Sequence, residues 1–405
     1  MTIFKRIAHR AFHLAMRLMI PFFPYREPTI LDDIDGVCNV LCAQGAKRVL
    51  LIAGKTVRGT GLTAPLEKLL SERGIEITVY DGTKPNPTSD NVEEARELYI
   101  EKGCEAIIAF GGGSAMDCAK AVGARIVRPD KPLDKMAGLI KIRKKLPLFI
   151  AIPTTAGTGS ETTVASVIVD SKTHHKYVIN DFCLIPRYAL LDPAVTVGMP
   201  KHLTATTGMD ALTHAIEAFI GKSTTKDTRR ASIEAVRLIF ENLEKAYENG
   251  EDIEPRRNML HASYLAGTAF TKSYVGYVHA VAHTLGGRYG IAHGLANAIL
   301  LPKVLRAYGI GAERPLAMLS RAVGLSDMSA SDSDARDAII AHIEKMNERM
   351  DIPSRIDVII PEDIPEMARL ADKEANPLYP VPVLLDAKEL ESIYFTALGG
   401  EPAAN

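Results

Sequence analysis

The sequence lacks an excess of charge of either sign. Its 48 lysines and arginines are balanced by 49 aspartates and glutamates, which leaves a net charge of −1 over 405 residues. This balance gives no reason to expect nucleic acid or an acidic membrane surface as the main partner. Hydrophobic residues make up 47% and charged residues 24% of the chain, which is typical of a soluble globular protein.

The sequence also lacks the cysteine pattern of a disulfide framework or a cysteine zinc site. Its five cysteines are odd in number and scattered. The one close pair, Cys38 and Cys42, has helical spacing rather than that of a zinc ribbon. We therefore expect free buried thiols and a cytoplasmic location, where thiols stay reduced.

The first 25 residues contain no uncharged run of the roughly 18 residues that a membrane span requires. No small-residue cleavage site follows. Basic residues alternate with apolar ones, so we describe residues 1–25 as a basic amphipathic extension. The favoured interpretation is a helix docked on the protein's own surface or on a partner subunit. A weak interfacial membrane anchor is the alternative.

The length of the chain favours two further domains. Four short apolar runs predict buried parallel strands at 48–53, 75–80, 106–110 and 148–152. Predicted helices alternate with these strands. One covers 62–73, and the next ends at Lys102 and has Asp90 or Asn91 as its N-cap. After about Pro200 the strands stop, and 205–220, 227–247 and 256–271 predict helices. The predicted fold is an α/β N-terminal domain with a parallel sheet (26–199), followed by an all-α C-terminal domain (200–405).

Two glycine-rich loops follow predicted strands. Gly111-Gly-Gly-Ser114 stands at a strand-to-helix turn, where a phosphate can approach the backbone and the free N–H groups of the helix. A purely structural tight turn is the alternative. The second loop, 154–161, is rich in glycine and hydroxyl groups. Two such loops at the carboxyl ends of parallel strands are expected for a dinucleotide site. The usual G-x-G-x-x-G fingerprint is absent, and 59–64 resembles it only faintly.

A histidine-rich stretch predicts a metal site. His279 and His283 are four residues apart, so on a helix they lie on one face. His293 follows a glycine-rich break that allows the chain to fold back. Upstream, Asp210 and His214 repeat the i, i+4 spacing. A lone buried histidine is more often a hydrogen-bonded core residue than a ligand, but this combination is harder to obtain by chance.

The mixed imidazole and carboxylate set suits Fe(II), Zn(II) or Mn(II), and the sequence does not choose among them. The spacing also leaves open which histidine stays unliganded.

These residues resemble the iron-containing (group III) alcohol dehydrogenase family over roughly 26–405. The motifs that carry the resemblance are the histidine-rich stretch 276–302, Asp-Ala-Leu-Thr-His at 210–214, and the segments 85–88, 111–120 and 153–161. The resemblance implies that Asp210, His214, His279 and His293 bind the metal. It leaves His283 beside the substrate as a candidate proton relay.

The resemblance also implies a nicotinamide cofactor and a small alcohol or aldehyde as substrate. The cofactor residues that it implies are Gly112, Gly113 and Ser114 on the pyrophosphate, Thr154, Thr155 and Thr158 along the cofactor, Asn86 and Lys176 as further contacts, and Asp117 towards the nicotinamide. Phe270 matches an aromatic residue near the nicotinamide and substrate. The expected cofactors are Fe(II), with Zn or Mn as alternatives, and NADP or NAD. The expected assembly is a homodimer.

The chain departs from the family pattern in three places. Gly54 replaces an aspartate of many NAD-preferring members, which removes a group that repels a 2′-phosphate. Lys55 or Arg58 could supply positive charge there, so we lean towards NADP. Tyr274 and Tyr277 stand where smaller residues are commoner and would narrow the alcohol pocket if they point into it. The N-terminal extension is the third departure.

The expected reaction is hydride transfer between the nicotinamide and an alkoxide held by the metal, with His283 or a water chain carrying the proton. A polyol or lactaldehyde-type dehydrogenase on the same scaffold is the near alternative. A lyase resembling dehydroquinate synthase is disfavoured because its metal site has a glutamate in place of Asp210. A catalytically silent, membrane-docked module is disfavoured by the intact Asp-His-His-His set.

Overall fold

The computed structural model describes residues 1–399 as two compact units. One unit is Pro24–Met199. The other contains Met1–Phe23 together with the chain from Pro200 onward, so the N-terminal extension clusters with the C-terminal half. The end of the predicted helical domain, 400–405, lies outside the described residues.

The strands are β1 (Thr29–Leu31), β2 (Arg48–Ile52), β3 (Glu76–Tyr80), β4 (Ala106–Gly111), β5 (Gly138–Leu139), β6 (Leu148–Pro153), β7 (Ala165–Val169), β8 (Lys176–Asn180) and β9 (Tyr188–Leu190). The helices of the same unit are α2 (Ile34–Ala43), α3 (Lys55–Gly59), α4 (Ala64–Glu72), α5 (Ser89–Glu101), α6 (Gly113–Val127) and α7 (Leu133–Met136). The helices of the other unit are α1 (Ile3–Met19), α8 (Lys201–Ile220), α9 (Lys226–Glu248), α10 (Ile253–Ser273), α11 (Tyr277–Tyr289), α12 (His293–Ala307), α13 (Ile310–Ala322), α14 (Asp332–Arg349), α15 (Ile364–Ala375) and α16 (Ala387–Leu398).

A six-stranded parallel sheet forms the centre of the Pro24–Met199 unit, with strand order β1-β9-β6-β4-β2-β3. Side chains alternate across it. Leu50 and Ile107 pack under α5 and α6, whereas Val49 and Leu51 pack against α2 and α4. Burial on both faces explains why these strands are continuous apolar runs in the sequence. The predicted parallel sheet is confirmed.

Several elements of this unit were not anticipated. β1 and β9 are only three residues long, and β5, β7 and β8 form a separate small sheet in which β7 and β8 are antiparallel. The predicted N-cap of α5 was wrong. Thr88 caps the helix, because its hydroxyl accepts the N–H of Asn91 while the Asn91 side chain accepts the N–H of Thr88.

The chain from Pro200 to residue 399 contains helices and no strand, as predicted. α8 is the central helix. Every residue from Gly208 to Ile220 is buried, because α9, α10 and α12 all pack against it. Small and apolar residues on all sides of a helix predict such complete burial. Polar side chains on α8 are therefore held in a dry and rigid environment.

α1 packs on its own chain, as the favoured interpretation predicted. The Arg10 guanidinium donates to the carbonyl oxygens of Val381 and Pro382, at 2.7 Å each. His13 Nε2 lies 2.8 Å from the Pro377 carbonyl oxygen. Among residues 1–399, no helix combines the length and apolar character needed to cross a bilayer.

A buried lysine fixes the loop that follows β6. Lys120 on α6 has no exposed surface, and its ammonium donates to Ser160 Oγ at 3.0 Å, Thr163 Oγ1 at 2.8 Å and the Ala165 carbonyl oxygen at 2.9 Å. Burial lowers the pKa of Lys120 to about 8, against the opposing effect of the nearby carboxylates of Asp117 and Glu161. The lysine therefore joins α6 to the second glycine-rich loop.

We predict that Lys120→Met destabilises the protein by about 3 kcal/mol, because several buried acceptors lose their donor and two carboxylates lose a neighbouring charge. Urea unfolding followed by circular dichroism measures the change. The matched control is Lys102→Met, since Lys102 is exposed and pairs with its exposed neighbour Glu101. The control should unfold like the parent. Equal stability of Lys120→Met and the parent would contradict the structural role of Lys120.

Candidate functional site

Four candidate metal ligands come together in the unit that contains α8. Asp210 and His214 lie on α8, His279 on α11, and His293 is the first residue of α12. One ligand atom from each residue lies within 4.8 Å of all the others. His293 Nε2 is 3.4 Å, and His279 Nε2 is 3.9 Å, from Asp210 Oδ1. These are the four residues that the family resemblance implies.

Local backbone geometry brings the third imidazole to the cluster. Gly290 ends α11 with a φ of 69°, a left-handed conformation that favours glycine, and α12 starts three residues later. Gly294 then allows a close approach to α8. A Cβ atom at Gly294 would lie 2.4 Å from the backbone oxygen of Thr206, so any larger residue would push α12 away. This contact between α12 and α8 is not evident from the local sequence.

Burial makes the cluster suitable for neutral imidazoles. Asp210, His214 and His279 are buried, whereas His293 is partly exposed. Burial, together with repulsion from neighbouring histidines, holds the pKa of His279 well below its usual range. A neutral imidazole carries the lone pair that a metal requires. The open side of the cluster therefore lies towards His293.

Glu217 is a functional residue that sequence reasoning missed. It lies on α8, seven residues after Asp210, and its Oε2 accepts from His279 Nδ1 at 2.6 Å. Its Oε1 accepts the backbone N–H of Val278 at 2.8 Å. With Nδ1 donating, His279 keeps the lone pair on Nε2, which is the atom near Asp210. A carboxylate inside the apolar run Ala215–Ile220 was the available signal.

Burial raises the pKa of Glu217 to about 8, and backbone N–H donors oppose this rise. A cation at the cluster would favour the ionised form, because opposite charges stabilise each other in a medium of low polarity. Glu217 and the candidate ligands therefore form one electrostatic unit.

Asn297 is a second residue that was missed. It lies one turn after His293 on α12 and is fully buried. Its Nδ2 is 2.6 Å from Asp210 Oδ1, 3.1 Å from His293 Nε2 and 3.3 Å from His279 Nε2. Acceptor atoms of three candidate ligands thus converge on one point, as the binding of a cation requires. Three imidazole nitrogens and one carboxylate oxygen fit Fe(II), Zn(II) or Mn(II).

His283 lies beside the cluster and outside the set of four. Its ring stacks on that of His293, with centroids 5.2 Å apart. Its Nδ1 is 2.7 Å from Glu374 Oε1, which also accepts from the Tyr379 hydroxyl at 2.8 Å. Glu374 therefore fixes the ring and directs Nε2 away from itself. The His283 side chain is partly exposed.

The predicted pocket residues have different environments. Phe270 stacks on His214 with centroids 4.1 Å apart, which places this aromatic ring against the cluster. Tyr274 is partly buried at the end of α10. The suggestion that Tyr277 narrows the pocket is wrong. Tyr277 is fully buried, and its hydroxyl donates to the Leu385 carbonyl oxygen at 2.9 Å, so it is a core residue.

The candidate phosphate site lies in the Pro24–Met199 unit. β4 and β6 are neighbours with Gly111 opposite Pro153, so both glycine-rich loops leave the same edge of the sheet. A Cβ at Gly112 would lie 3.2 Å from Thr155 Oγ1, and one at Gly113 would lie 3.0 Å from Thr158 Cγ2. The loops are therefore in contact. The N-cap of α6 is Gly112, which has no side chain to cap the helix, and this leaves the first N–H groups of α6 for an anion.

The remaining cofactor candidates lie in the same unit. Ser114 is in the first turn of α6, Thr154 follows β6, and Asp117 accepts from Ser160 Oγ at 3.2 Å. Burial raises the pKa of Asp117 to about 6. Lys176 Nζ donates to Asn86 Oδ1 at 3.0 Å, so two residues that are 90 positions apart in the sequence meet.

Gly54 has room for a larger residue. It precedes α3 with a φ of −99°, and a Cβ there would meet only the Thr83 carbonyl oxygen, at 3.5 Å. Of the two nearby cations, Arg58 pairs with Glu67, which reduces its availability to a ligand. Lys55 is exposed.

We predict that Glu217→Gln weakens metal binding about 10- to 100-fold, because one amide cannot accept both from His279 and from the Val278 N–H. Competition with a chelator, read by elemental analysis, measures the affinity. The matched control is Glu374→Gln, which changes the partner of His283 and should leave the metal affinity unchanged. Equal metal affinities of the two variants would contradict the role assigned to Glu217.

Comparison with known proteins agrees with this geometry. Residues 32–193 match the family described as "Iron-containing alcohol dehydrogenase". Residues 204–398 match the family described as "Fe-containing alcohol dehydrogenase family, C-terminal". The chain is 38% identical to 1,3-propanediol dehydrogenase of Citrobacter freundii over 362 residues, covering 88% of this chain and 92% of that protein. It is 36% identical to NAD-dependent methanol dehydrogenase of Bacillus methanolicus over 310 residues, covering 76% and 81%.

Among solved structures, an alcohol dehydrogenase from Oenococcus oeni matches with a TM-score of 0.88 at 33% identity. The match covers 92% of this chain and 100% of that one. The resemblance inferred from the motifs is confirmed. The chain therefore belongs to the iron-containing alcohol dehydrogenase family and is an oxidoreductase that acts on alcohols.

Proposed function

We propose that the protein interconverts a small alcohol and its aldehyde, with Fe(II) held by Asp210, His214, His279 and His293 and with NADP or NAD as hydride carrier. The observation that carries this proposal is the convergence of four ligand atoms within 4.8 Å. Zn(II) or Mn(II) would suit the same ligands. Such a metal would act as a Lewis acid on the alcohol oxygen, and the nicotinamide would accept the hydride.

The surrounding residues prepare this site for a cation. Burial on α8 keeps water from Asp210 and His214, which strengthens their attraction for positive charge. Glu217 holds His279 in the tautomer that presents Nε2. Phe270 packs on the His214 ring and restricts its orientation. A rigid ligand set of this kind is needed for a reproducible position of the substrate oxygen.

We propose that His283 carries the proton that the alcohol releases or the aldehyde takes up. Its Nδ1 is held by Glu374, which leaves Nε2 to exchange a proton with the alcohol or a bridging water. Partial exposure connects the ring to solvent. During alcohol oxidation His283 would take up the released proton, and during aldehyde reduction it would return one.

Phe270 and Tyr274 are the residues that we propose for the substrate pocket. The names of two relatives refer to 1,3-propanediol and methanol, which favours a short alcohol. A polyol or lactaldehyde-type dehydrogenase remains the nearest alternative, because it would use the same ligands and differ only in the pocket. Membership of the iron-containing alcohol dehydrogenase family favours a dehydrogenase over the two disfavoured alternatives, a lyase resembling dehydroquinate synthase and a catalytically silent, membrane-docked module.

For the cofactor, we propose that Gly112, Gly113 and Ser114 bind the pyrophosphate, with Thr154, Thr155 and Thr158 along the same loops. The contact between these loops and the uncapped start of α6 support this assignment. Asn86, Lys176 and Asp117 are the further contacts, and Gly54 lies near the ribose. We also expect a homodimer, by family resemblance, and a cytoplasmic location, which the absence of disulfides among the five cysteines supports.

We predict that His279→Ala loses both metal and activity, whereas His283→Ala retains the metal and loses about 100-fold in kcat, a typical contribution of proton transfer by a side chain. Elemental analysis and aldehyde reduction are measured on the same preparations. Loss of the metal from His283→Ala, or its retention by His279→Ala, would show that the ligands are wrongly assigned.

We predict that Gly54→Asp raises the ratio of kcat/KM for NAD to that for NADP about tenfold, because a carboxylate can accept from a ribose 2′-hydroxyl and repels a 2′-phosphate. The backbone angles at Gly54 and the space around it allow the substitution. Gly54→Ala is the matched control, since it adds a Cβ without charge, and its ratio should stay near that of the parent. An unchanged ratio in Gly54→Asp would place the ribose elsewhere.

A further inference from the structure

The N-terminal helix α1 presents its apolar side to solvent. We define its outer apolar face as Phe4, Ile7, Leu14, Leu18 and, just after the helix, Phe22. Their spacing of three to seven residues places them on one side of the helix. Phe4 is 86% and Phe22 is 84% exposed, and the three aliphatic residues are all more than half exposed. A surface helix of a globular protein usually turns this side inward.

Polar contacts hold the helix in this orientation. Arg10 binds the Val381 and Pro382 carbonyl oxygens, and His13 lies against the Pro377 carbonyl oxygen. His9 and His13 are the buried residues of the helix, and the guanidinium of Arg6 reaches Glu389 at 3.4 Å. The polar side is therefore used for docking, and the apolar side contributes little to the fold.

We propose that the outer apolar face binds the surface of a membrane that contains anionic lipids. Lys5 and Arg17 are exposed and flank the face. Residues 1–25 contain four basic and no acidic residues. A helix with an apolar face and flanking cations lies in the boundary between lipid headgroups and acyl chains, with its cations near the phosphates.

The length of the helix agrees with binding parallel to the membrane. Its 17 residues extend about 25 Å at 1.5 Å per residue, which is less than the roughly 30 Å of a hydrocarbon core. A groove of about 530 Å³ adjoins the face and is lined in part by Ile7, Leu14 and Val383. The apolar surface therefore continues from the helix onto the body of the protein.

A second copy of the chain fits this face less well. Two copies packed face to face about a twofold axis would bring Lys5 and Arg17 close to the same cations of the partner. The face also offers five large side chains, whereas a stable interface uses roughly 20 to 30 residues on each side. Lipid phosphates instead supply the complementary charge. Both matched family segments begin after α1, at residues 32 and 204, so α1 lies outside them.

The test is flotation of the full-length protein with vesicles of phosphatidylcholine alone or with 30% phosphatidylserine. We expect binding to the anionic vesicles, a weaker response to the neutral ones, and loss of binding as salt is raised. The double variant Phe4→Gln/Leu18→Gln should bind at least tenfold less. Its alcohol oxidation without vesicles should equal that of the parent. The matched control is Ile310→Gln/Met328→Gln, which removes apolar residues that are 84% and 82% exposed on the same unit, and it should bind like the parent.

Three results would overturn the proposal. The first is absence of binding to anionic vesicles, and the second is equal binding by the two double variants. The third is found by sedimentation without lipid: if Phe4→Gln/Leu18→Gln alone dissociates an oligomer of the parent, the face is an interface between copies. Lys5→Gln/Arg17→Gln provides a separate check, because its binding should depend less on salt.

Discussion

The contact between Glu217 and His279 is the constraint on which the metal cluster depends. An acceptor for one nitrogen of a buried imidazole fixes the tautomer that presents the lone pair at the other nitrogen, and Glu217 supplies that acceptor to His279 at 2.6 Å. Because Asp210, His214 and Glu217 follow one another at helical spacing on α8, a single rigid helix carries two candidate ligands and the support for a third. The burial of α8 from Gly208 to Ile220 then keeps all three in place.

Much of this arrangement was predictable from local sequence patterns. The i, i+4 spacing predicted that Asp210 and His214 lie on one face of a helix. The glycine-rich break before His293 indicated that the chain could fold back towards His279. The four apolar runs predicted the central strands, because parallel strands covered on both faces are continuously apolar. The position of the first glycine-rich loop was also predictable, because the loop directly follows one of these strands.

What was missed depends on contacts between distant residues. Glu217 and His279 are 62 positions apart, and nothing in the local pattern states that they meet. Gly294 is required by the backbone of Thr206, which belongs to another helix. β7 and β8 are only five residues each, and their antiparallel pairing is a contact between separate segments that the local pattern does not state. For α1, amphipathicity was evident, but a helical pattern does not tell which side faces the protein.

The candidate ligands come from three helices, and this affects how long the folded protein persists. α8 is separated from α11 by the whole of α9 and α10, so a bound cation would join segments that are distant along the chain. Any ligand that binds the folded state alone stabilises it against unfolding, by an amount that grows with the logarithm of the ligand concentration above the dissociation constant. Metal supply would then affect the amount of enzyme as well as its activity, because molecules that lack the metal would unfold more often and be degraded sooner.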